Sequence, residues 1–188
     1  MESHGRDQRA AWSADVGREL NSERRCGGVV RVGFPLVRQQ MAQSARRRTA
    51  LTSGNLRAAR RLYEAFDSQD ARALVAGLAP GFRGIVSDGM PEGLGGSYDG
   101  PEAMLRDCWA RVFALVDVRP VPDEYLSAGA ERVVVLGRYL GIARATNRPL
   151  SAAFAHVLRF RDGLVTELIQ VTDTELWHEA LGAQRSCR

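Results

Sequence analysis

The spacing of apolar residues predicts that organised structure begins near Asn55. Leucine, alanine and aromatic residues recur at helical spacing from Leu56 to Phe66, with arginine and glutamate between them. A second helix is expected after Ser68, which can cap it, and Pro80 ends that helix. The pattern therefore favours two consecutive helices at the start of a folded domain.

A strand, an irregular segment and a third helix are predicted next. Phe82 to Asp88 is typical of a short strand, and residues 89–98 are too rich in glycine for regular structure, which indicates a flap or wide turn. Asp99-Gly100-Pro101-Glu102 is a strong helix start, with proline at the first helical position and an acidic residue in the first turn. A broad apolar stripe continues this helix to Val116.

The second half of the chain predicts a sheet. Asp162-Gly163 is a typical two-residue hairpin turn, and Thr172-Asp173-Thr174-Glu175 resembles a capping box that opens a closing helix, Leu176 to Leu181. Hairpin connections between successive strands indicate an antiparallel sheet with helices on one side, an α+β fold. The four strands are expected at about Val118–Ser127, Arg132–Ala143, Leu150–Arg161 and Leu164–Thr172.

Positive charge is concentrated at the start of the chain. Residues 1–50 contain ten arginines and five acidic residues, whereas residues 51–188 contain sixteen and seventeen. Residues 1–51 lack apolar periodicity and are predicted to be a disordered leader, with Met41 as an alternative start. We expect one domain over 52–183 and a tail over 184–188. Because that domain is nearly neutral, nucleic-acid binding is not expected, although the arginine-rich leader leaves it as an alternative.

Scarce residue types exclude several chemistries. All 26 basic residues are arginine, so a Schiff-base lysine and a P-loop lysine are excluded. Three cysteines and three histidines are too scattered for a disulfide framework or a metal site. Nucleotide, zinc and serine-hydrolase motifs are absent, so no cofactor is expected. The cysteine usage fits a reducing, cytoplasmic location, and the apolar run of the leader is too short for a membrane span.

His156 is the first candidate for a functional role. On its predicted strand it shares one face with Phe154, Leu158 and Phe160. Apolar surroundings lower the pKa of an imidazole and keep it neutral, able to donate a hydrogen bond or to take a proton near pH 7. The alternative is a core histidine that is bonded to a neighbouring carbonyl group.

Two carboxylates are candidate acid–base residues. Asp88 ends the predicted first strand, where desolvation at a pocket mouth could raise the pKa of its carboxyl group and make it a general base. The alternative for Asp88 is an Asx-type turn. Asp173 follows the last strand and could orient His156 or transfer protons, but a helix cap alone also explains it.

Aromatic and polar residues complete the predicted pocket. Gln170 lies on the same strand face as Leu168 and Thr172 and could place a polar substrate. Two tyrosines offer phenolic donors, although a half-buried tyrosine needs no function. The predicted substrate-binding residues are Tyr63, Trp109, Phe113, Tyr139, Phe154 and Gln170.

Three segments occur in an order that is specific for one fold. They are residues 55–66 with Asp70, residues 98–104, and residues 154–165 followed by Thr172-Asp173-Thr174. In this combination the chain resembles the nuclear transport factor 2-like superfamily, and within it the SnoaL-like and ketosteroid isomerase-like proteins. The resemblance implies a cone-shaped, curved antiparallel sheet packed with N-terminal helices, a cystatin-like roll that is frequently dimeric. It also implies a pocket used for isomerisation, cyclisation, dehydration, epoxide opening or binding alone.

The same resemblance implies roles for individual residues. His156 falls where the steroid isomerases place an acid that donates to the developing enolate. Asp88 lies two residues beyond the position of their catalytic aspartate, and Tyr63 lies close to that of their catalytic tyrosine.

We therefore predict a cofactor-independent isomerase, cyclase or dehydratase of secondary, polyketide-type metabolism. Asp88 or Asp173 would remove a proton beside a carbonyl group, and His156 would stabilise the enolate. The alternative is a non-catalytic module of the same fold for small-molecule binding or dimerisation. The expected partners are a small molecule and a second copy of the chain, with no nucleic acid and no membrane.

Overall fold

The computed structural model of the protein describes residues 35–182, with side chains described from residue 39 onward. The elements described below belong to one compact unit that begins at Arg38, apart from the first turn of helix α1. Residues 1–34 of the predicted leader, and the predicted tail 184–188, lie outside the described residues.

Helix α1 spans Pro35–Asp67 and is longer than the apolar pattern predicts. Residues 35–51 of the predicted leader belong to this helix, and residues 39–51 are all exposed. The arginine, glutamine, alanine and methionine of this stretch favour a helix by their intrinsic propensity, without the buried face that a periodic pattern would reveal. The pattern appears only from residue 55, where the helix begins to pack.

The next two elements begin and end at residues other than those predicted. Helix α2 spans Ala71–Ala76, and its cap is Asp70, whose carboxylate accepts a hydrogen bond from the Ala73 amide at 2.9 Å. Ser68 instead bonds the carbonyl oxygen of Glu64. Strand β1 begins earlier than predicted and spans Leu78–Val86.

The glycine-rich segment contains short regular elements. A single 3-10 turn spans Pro91–Gly93, and strand β2 spans Gly96–Asp99 and pairs antiparallel with β1. A helical rod follows, made of α3 (Pro101–Ala103), a π-helical segment (Met104–Trp109) and α4 (Ala110–Leu115). The irregular flap is thus limited to residues 89–95.

The second half forms the elements that the pattern predicts. They are β3 (Val116–Ser127), β4 (Arg132–Ala143), β5 (Pro149–Arg161), β6 (Leu164–Thr172) and α5 (Thr174–Leu181). Asp162 and Gly163 have φ values of 52° and 81°. Both turn positions therefore have positive φ, which is the signature of a type I′ hairpin. Asp173 is the cap residue of α5, but its side chain makes no capping hydrogen bond.

The six strands form one mixed sheet in the order β2-β1-β6-β5-β4-β3. All neighbouring pairs are antiparallel except β1 and β6, which are parallel. The predicted antiparallel sheet differs at this one pair, because the hairpin rule covers only strands that follow each other along the chain. Register shifts interrupt three of the ladders, and such bulges bend a sheet. The α+β class and the curved sheet are confirmed.

The core lies on the inner face of the sheet. Alternate residues of β5 are buried, including His156 and Phe160. Tyr63 and Phe66 of α1 and Trp177 of α5 are buried in the same core. Helices therefore cover one face of the sheet and position the residues described next.

Candidate functional site

A cavity lies against the inner face of the sheet. About 50 Å³ of it is open to the centres of water molecules, room for a few waters or a small ligand group. None of the described residues that line it is Asp, Glu, Lys or Arg. The lining residues are Phe66, Val86, Met90, Leu94, Met104, Cys108, Trp109, Val112, Phe113, Val118, Pro120, Tyr139, His156, Leu168, Gln170 and Trp177.

The π-helical segment builds one wall of this cavity. A π turn contains one residue more than an α turn and is common at functional sites. Met104, Cys108 and Trp109 of this segment line the cavity, and so do Val112 and Phe113 of α4. Trp109 and Phe113, two of the predicted substrate-binding residues, are thus part of the cavity lining.

The polar centre of the cavity is an imidazole held between two phenols. The hydroxyl oxygen of Tyr63 lies 2.6 Å from Nδ1 of His156, and that of Tyr139 lies 2.7 Å from Nε2. His156 and Tyr139 line the cavity, whereas Tyr63 lies behind the imidazole and lines a separate surface groove. The histidine therefore bonds two tyrosine hydroxyl groups and not a neighbouring carbonyl group, which was the alternative interpretation in the sequence analysis.

Burial controls the ionisation of these three groups. Burial lowers the pKa of His156 to about 3, so the ring is neutral at physiological pH and is not a base near pH 7. Burial raises the pKa of the Tyr63 phenol well above its usual value, and the nearby Tyr139 and Tyr125 raise it further. The pKa of Tyr139 is raised mainly by burial, against a smaller lowering by the nearby Gln170 side chain. All three groups are uncharged hydrogen-bonding groups.

Gln170 is held in place by the end of strand β1. Its side-chain Oε1 accepts a hydrogen bond from the backbone amide of Ser87 at 3.1 Å. The backbone carbonyl oxygen of Gln170 accepts a second hydrogen bond, from the Ser87 hydroxyl, also at 3.1 Å. The parallel pairing of β1 with β6 brings these residues together. Because the Ser87 amide can only donate, the oxygen of the Gln170 side chain faces Ser87 and its NH₂ group faces away from it.

Aromatic rings surround the imidazole. Phe154 stacks on His156, with ring centroids 4.2 Å apart and planes 21° apart. Tyr139 meets Trp177 edge to face at 5.1 Å. Phe154 does not line the cavity, so this predicted substrate-binding residue supports the histidine from behind.

Neither candidate carboxylate lines the cavity. Asp88 is exposed in the turn after β1, and Asp173 is exposed before α5. The turn reading of Asp88 therefore agrees with its position. A side-chain atom added to Gly89 would meet Thr174 Oγ1 at 3.0 Å, so the segments that carry the two carboxylates are in contact at one edge of the fold.

Two side chains hold the flap, residues 89–95, against the helices. Arg111 donates to the carbonyl oxygens of Glu92 at 2.5 Å and Gly93 at 3.4 Å. His178 of α5 donates from Nε2 to the carbonyl oxygen of Gly89 at 3.0 Å. Because Met90 and Leu94 of this flap line the cavity, these bonds fix one of its walls.

Sequence reasoning missed several of these residues. Cys108 lines the cavity, and burial raises the pKa of its thiol to about 12. Its position in the predicted apolar stripe could have revealed it. Ser87 and the flap residues Met90 and Leu94 depend on a long-range strand pairing and on an irregular loop, and no local pattern signals either. Within residues 35–182, no cluster of His, Cys, Asp or Glu could hold a metal ion.

Solved structures share this fold. An NTF2-like protein of unknown function from Burkholderia pseudomallei K96243 is 33% identical, with a TM-score of 0.64 over 69% of this chain and 98% of that chain. An NTF2-like protein from Burkholderia thailandensis E264 is 28% identical, with a TM-score of 0.63 over 68% and 96%. TerC, co-crystallised with polyporic acid, is 26% identical, with a TM-score of 0.63 over 69% and 99%.

The remaining comparisons define the family. No curated protein matches the chain. In the part of the chain that the structure describes, no helix is long and apolar enough to cross a membrane. The model of the SnoaL-like domain matches residues 59–168, a segment that contains Tyr63, Tyr139 and His156. The chain therefore belongs to the SnoaL-like domain family.

Proposed function

We propose that the chain is a cofactor-independent enzyme that binds a small, mostly apolar carbonyl compound in the cavity and acts on it by acid–base chemistry. The observation that carries this proposal is the neutral Tyr63–His156–Tyr139 array at the polar end of an otherwise apolar cavity. Fixed hydrogen-bond donors in a dry site stabilise the negative charge that develops on a substrate oxygen. In polyketide-type secondary metabolism, isomerisation, cyclisation and dehydration that begin with loss of a proton beside a carbonyl group form an enolate, whose oxygen carries this negative charge.

The proposed step moves one proton. A carboxylate removes a proton from the carbon beside the carbonyl group, a carbon–carbon double bond forms, and the carbonyl oxygen takes the negative charge. The Tyr139–His156 pair stabilises that oxygen. Because the cavity lining contains no carboxylate, we assign the base to Asp88 or Asp173 at the edge of the fold, acting on an α-carbon that the bound substrate holds at the side of the cavity nearest these residues.

The relatives are consistent with a small organic ligand. TerC, which is 26% identical over 69% of this chain, was co-crystallised with polyporic acid. An uncharged cavity favours the neutral part of such a molecule, because a buried charge without a partner is costly. A substrate with one oxygen in the cavity and its remaining polar groups outside fits both constraints.

Hydrogen–deuterium exchange of cyclohexanone tests the proposal without the natural substrate. In D₂O, the wild type should accelerate loss of the α-proton signal in ¹H NMR spectra. His156→Ala and the less disruptive His156→Gln should each lower this acceleration by roughly 10-fold or more. Tyr125→Phe is the control, because Tyr125 contacts the Tyr63 ring but does not bond the histidine.

The same assay shows which of the two carboxylates is the base. Asp88→Asn or Asp173→Asn should abolish the acceleration, depending on which residue is the base, and the other variant should retain it. Exchange no faster than in buffer, with cyclohexanone bound to the wild type, would exclude the enzyme proposal.

The second candidate is a binding module without chemistry. One observation favours it: no described residue that lines the cavity carries a charge at neutral pH. A binder needs only the apolar walls and the Tyr139–His156 pair. This candidate predicts ligand binding that is sensitive to Tyr139→Phe and no acceleration of α-proton exchange.

We also propose that the chain forms a homodimer through the outer face of its sheet. One cross-strand row on this face is apolar over five strands. Val171 of β6, near this row, is 55% exposed. Uncovered apolar sheet faces are typical of sheet-to-sheet contacts between proteins. The row consists of Ile85, Ile169, Val157, Val134 and Leu126.

The proposed location is the cytoplasm, where a small-molecule enzyme with reduced thiols would act. Cys108, which lines the cavity, is a free thiol in the structure. Cytoplasmic glutathione and thioredoxin keep such thiols reduced.

A further inference from the structure

The hydrogen bonds around His156 have a direction that the heavy atoms determine. A neutral imidazole carries one N–H group and one acceptor nitrogen. If Nδ1 carried the proton, Tyr63 would accept it, and the Tyr63 hydroxyl proton would need another acceptor. Tyr63 is 4% exposed, and no second hydrogen-bond partner for it exists among the described residues. A buried donor without a partner is unfavourable, so Tyr63 donates to Nδ1 and the proton of His156 is on Nε2.

The Nε2 proton then points at the oxygen of Tyr139. At 2.7 Å, Nε2–H donates to the Tyr139 hydroxyl oxygen. Tyr139 therefore cannot give its own proton to the histidine. The donated hydrogen bonds therefore form a chain, in which Tyr63 donates to His156 and His156 donates to Tyr139.

Gln170 lines the same cavity and carries a second donor group. The backbone amide of Ser87 can only donate, so the side-chain atom 3.1 Å from it is Oε1, and the NH₂ group of Gln170 faces the other way. The nearby Gln170 side chain also lowers the pKa of the Tyr139 phenol, against the larger effect of burial. With Nε2–H of His156 on its oxygen, the Tyr139 hydroxyl proton has no acceptor among the described residues, and it faces the cavity that Tyr139 lines.

We propose that Tyr139 is the residue that donates to the ligand oxygen, that Tyr63 acts as a positioning residue through His156, and that the site selects neutral ligands with an acceptor-only oxygen such as a ketone or quinone. This inference rests on the proposed ligand site, and it differs from the sequence-based assignment of His156 as the donor. An ammonium group at the same place would meet the hydroxyl proton of Tyr139 and would be a buried charge without a charged partner, which is unfavourable.

The tautomer of His156 is measured directly by ¹⁵N NMR of histidine-labelled protein, with His156→Gln to assign the signals. The expected result is a neutral ring that is protonated at Nε2 in the wild type. In Tyr63→Phe, loss of the donor to Nδ1 should produce a mixture of tautomers, whereas Tyr125→Phe should leave the ring unchanged. Protonation at Nδ1 in the wild type would overturn the proposed direction.

Ligand selectivity is measured with two probes of nearly equal shape. Cyclohexanone has the acceptor oxygen, methylenecyclohexane replaces it with CH₂, and NMR titration gives both dissociation constants. The preference of the wild type for cyclohexanone should fall about 10-fold in Tyr139→Phe and about 3-fold in Tyr63→Phe, since a lost hydrogen bond changes binding by about this amount. Affinity for methylenecyclohexane should stay constant, which shows that the variants are folded.

Other outcomes of this titration count against the inference. A wild type that binds the two probes equally, or binds neither, overturns the acceptor site, and so does cyclohexylammonium binding as tightly as cyclohexanone. These results are independent of turnover. An Nε2-protonated ring with ketone preference but no α-proton exchange would overturn the proposed enzyme activity alone, whereas exchange with a ring protonated at Nδ1 would overturn this inference alone.

Discussion

The hydroxyl oxygen of Tyr139 lies 2.7 Å from Nε2 of His156, at the boundary between the cavity and the core. Tyr139 comes from β4 and His156 from β5, so strand pairing sets their separation. Neither group has a charged partner, and both are neutral because burial disfavours their charged forms. The polar end of the cavity is therefore part of the packed core, and a change in either site or core should affect the other.

The buried neutral histidine should make stability depend on pH. The pKa of His156 is lowered to about 3 in the folded state, whereas an unfolded histidine has a pKa of about 6.5. As the pH falls below 6.5, His156 therefore becomes protonated in the unfolded state but stays neutral in the folded state. We expect His156 to lower the free energy of unfolding by about 2 kcal/mol between pH 7 and pH 5, measured by urea unfolding.

His156→Gln is the control for this pH dependence. It removes the titrating ring, so the unfolding free energy of the wild type should fall relative to the variant as the pH decreases, and carboxylates that titrate in both proteins cancel. Parallel pH curves for the two proteins would show that His156 has an ordinary pKa.

Gly137→Ala should destabilise the protein and disturb the histidine. A side-chain atom at Gly137 would collide with the carbonyl oxygen of Val121 and lie 2.7 Å from Cζ of Phe154. Phe154 stacks on His156, so its displacement also moves the imidazole. We expect a loss of about 1–3 kcal/mol in unfolding free energy, the usual cost of overpacking.

Gly81→Ala is the matched control, because no atom lies within 4 Å of the added carbon. The two variants are compared by thermal unfolding and by the ¹⁵N signals of His156. A Gly137→Ala protein as stable as Gly81→Ala, with unchanged histidine signals, would show that the strands β3 and β4 separate without cost.

Much of the fold follows from short-range patterns. The predicted bounds of β4 and β6 match the structure, because alternation and the Asp162-Gly163 turn are local signals. The parallel pairing of β1 with β6 does not follow, because the two strands are far apart in sequence. The start of α1 was also missed, since an exposed helix has no apolar period to detect.

The candidate site shows the same division. The face of β5 that carries His156 was predictable from period-two alternation, and so was Gln170 on β6. The contact of Tyr63 with Nδ1 was not, because it depends on how α1 packs on the sheet. Asp88 and Asp173 were chosen for their chemistry, and their exposure depends on a turn and a helix start that local patterns do not place relative to the cavity.

Arg111→Ala should loosen the flap over the cavity. Arg111 donates to the carbonyl oxygens of Glu92 and Gly93, and this flap carries Leu94 into the cavity wall. Without these bonds, amide hydrogen exchange should become faster over residues 89–95, because local opening costs less. Mass spectrometry of the exchanged peptides measures this.

Arg106→Ala is the control from the same helical rod. Arg106 forms an exposed ion pair with Asp107 at 2.7 Å, and exposed pairs contribute little to stability. Exchange in the flap should be unchanged in this variant. Equal exchange in both variants would mean that His178, which bonds Gly89, is sufficient to hold the flap.

Val171→Glu should dissociate the proposed homodimer. Val171 is 55% exposed on the outer face of β6 and pairs with Ala155 of β5, so a monomer accommodates the new carboxylate in water. In a sheet-to-sheet contact the same carboxylate would be buried without a partner, which is unfavourable by several kcal/mol. Sedimentation equilibrium should therefore give a dimer for the wild type and a monomer for Val171→Glu. Ala71→Glu adds the same charge at an exposed position of α2 and should remain dimeric, whereas a monomeric wild type would refute the interface because the apolar row would then face water.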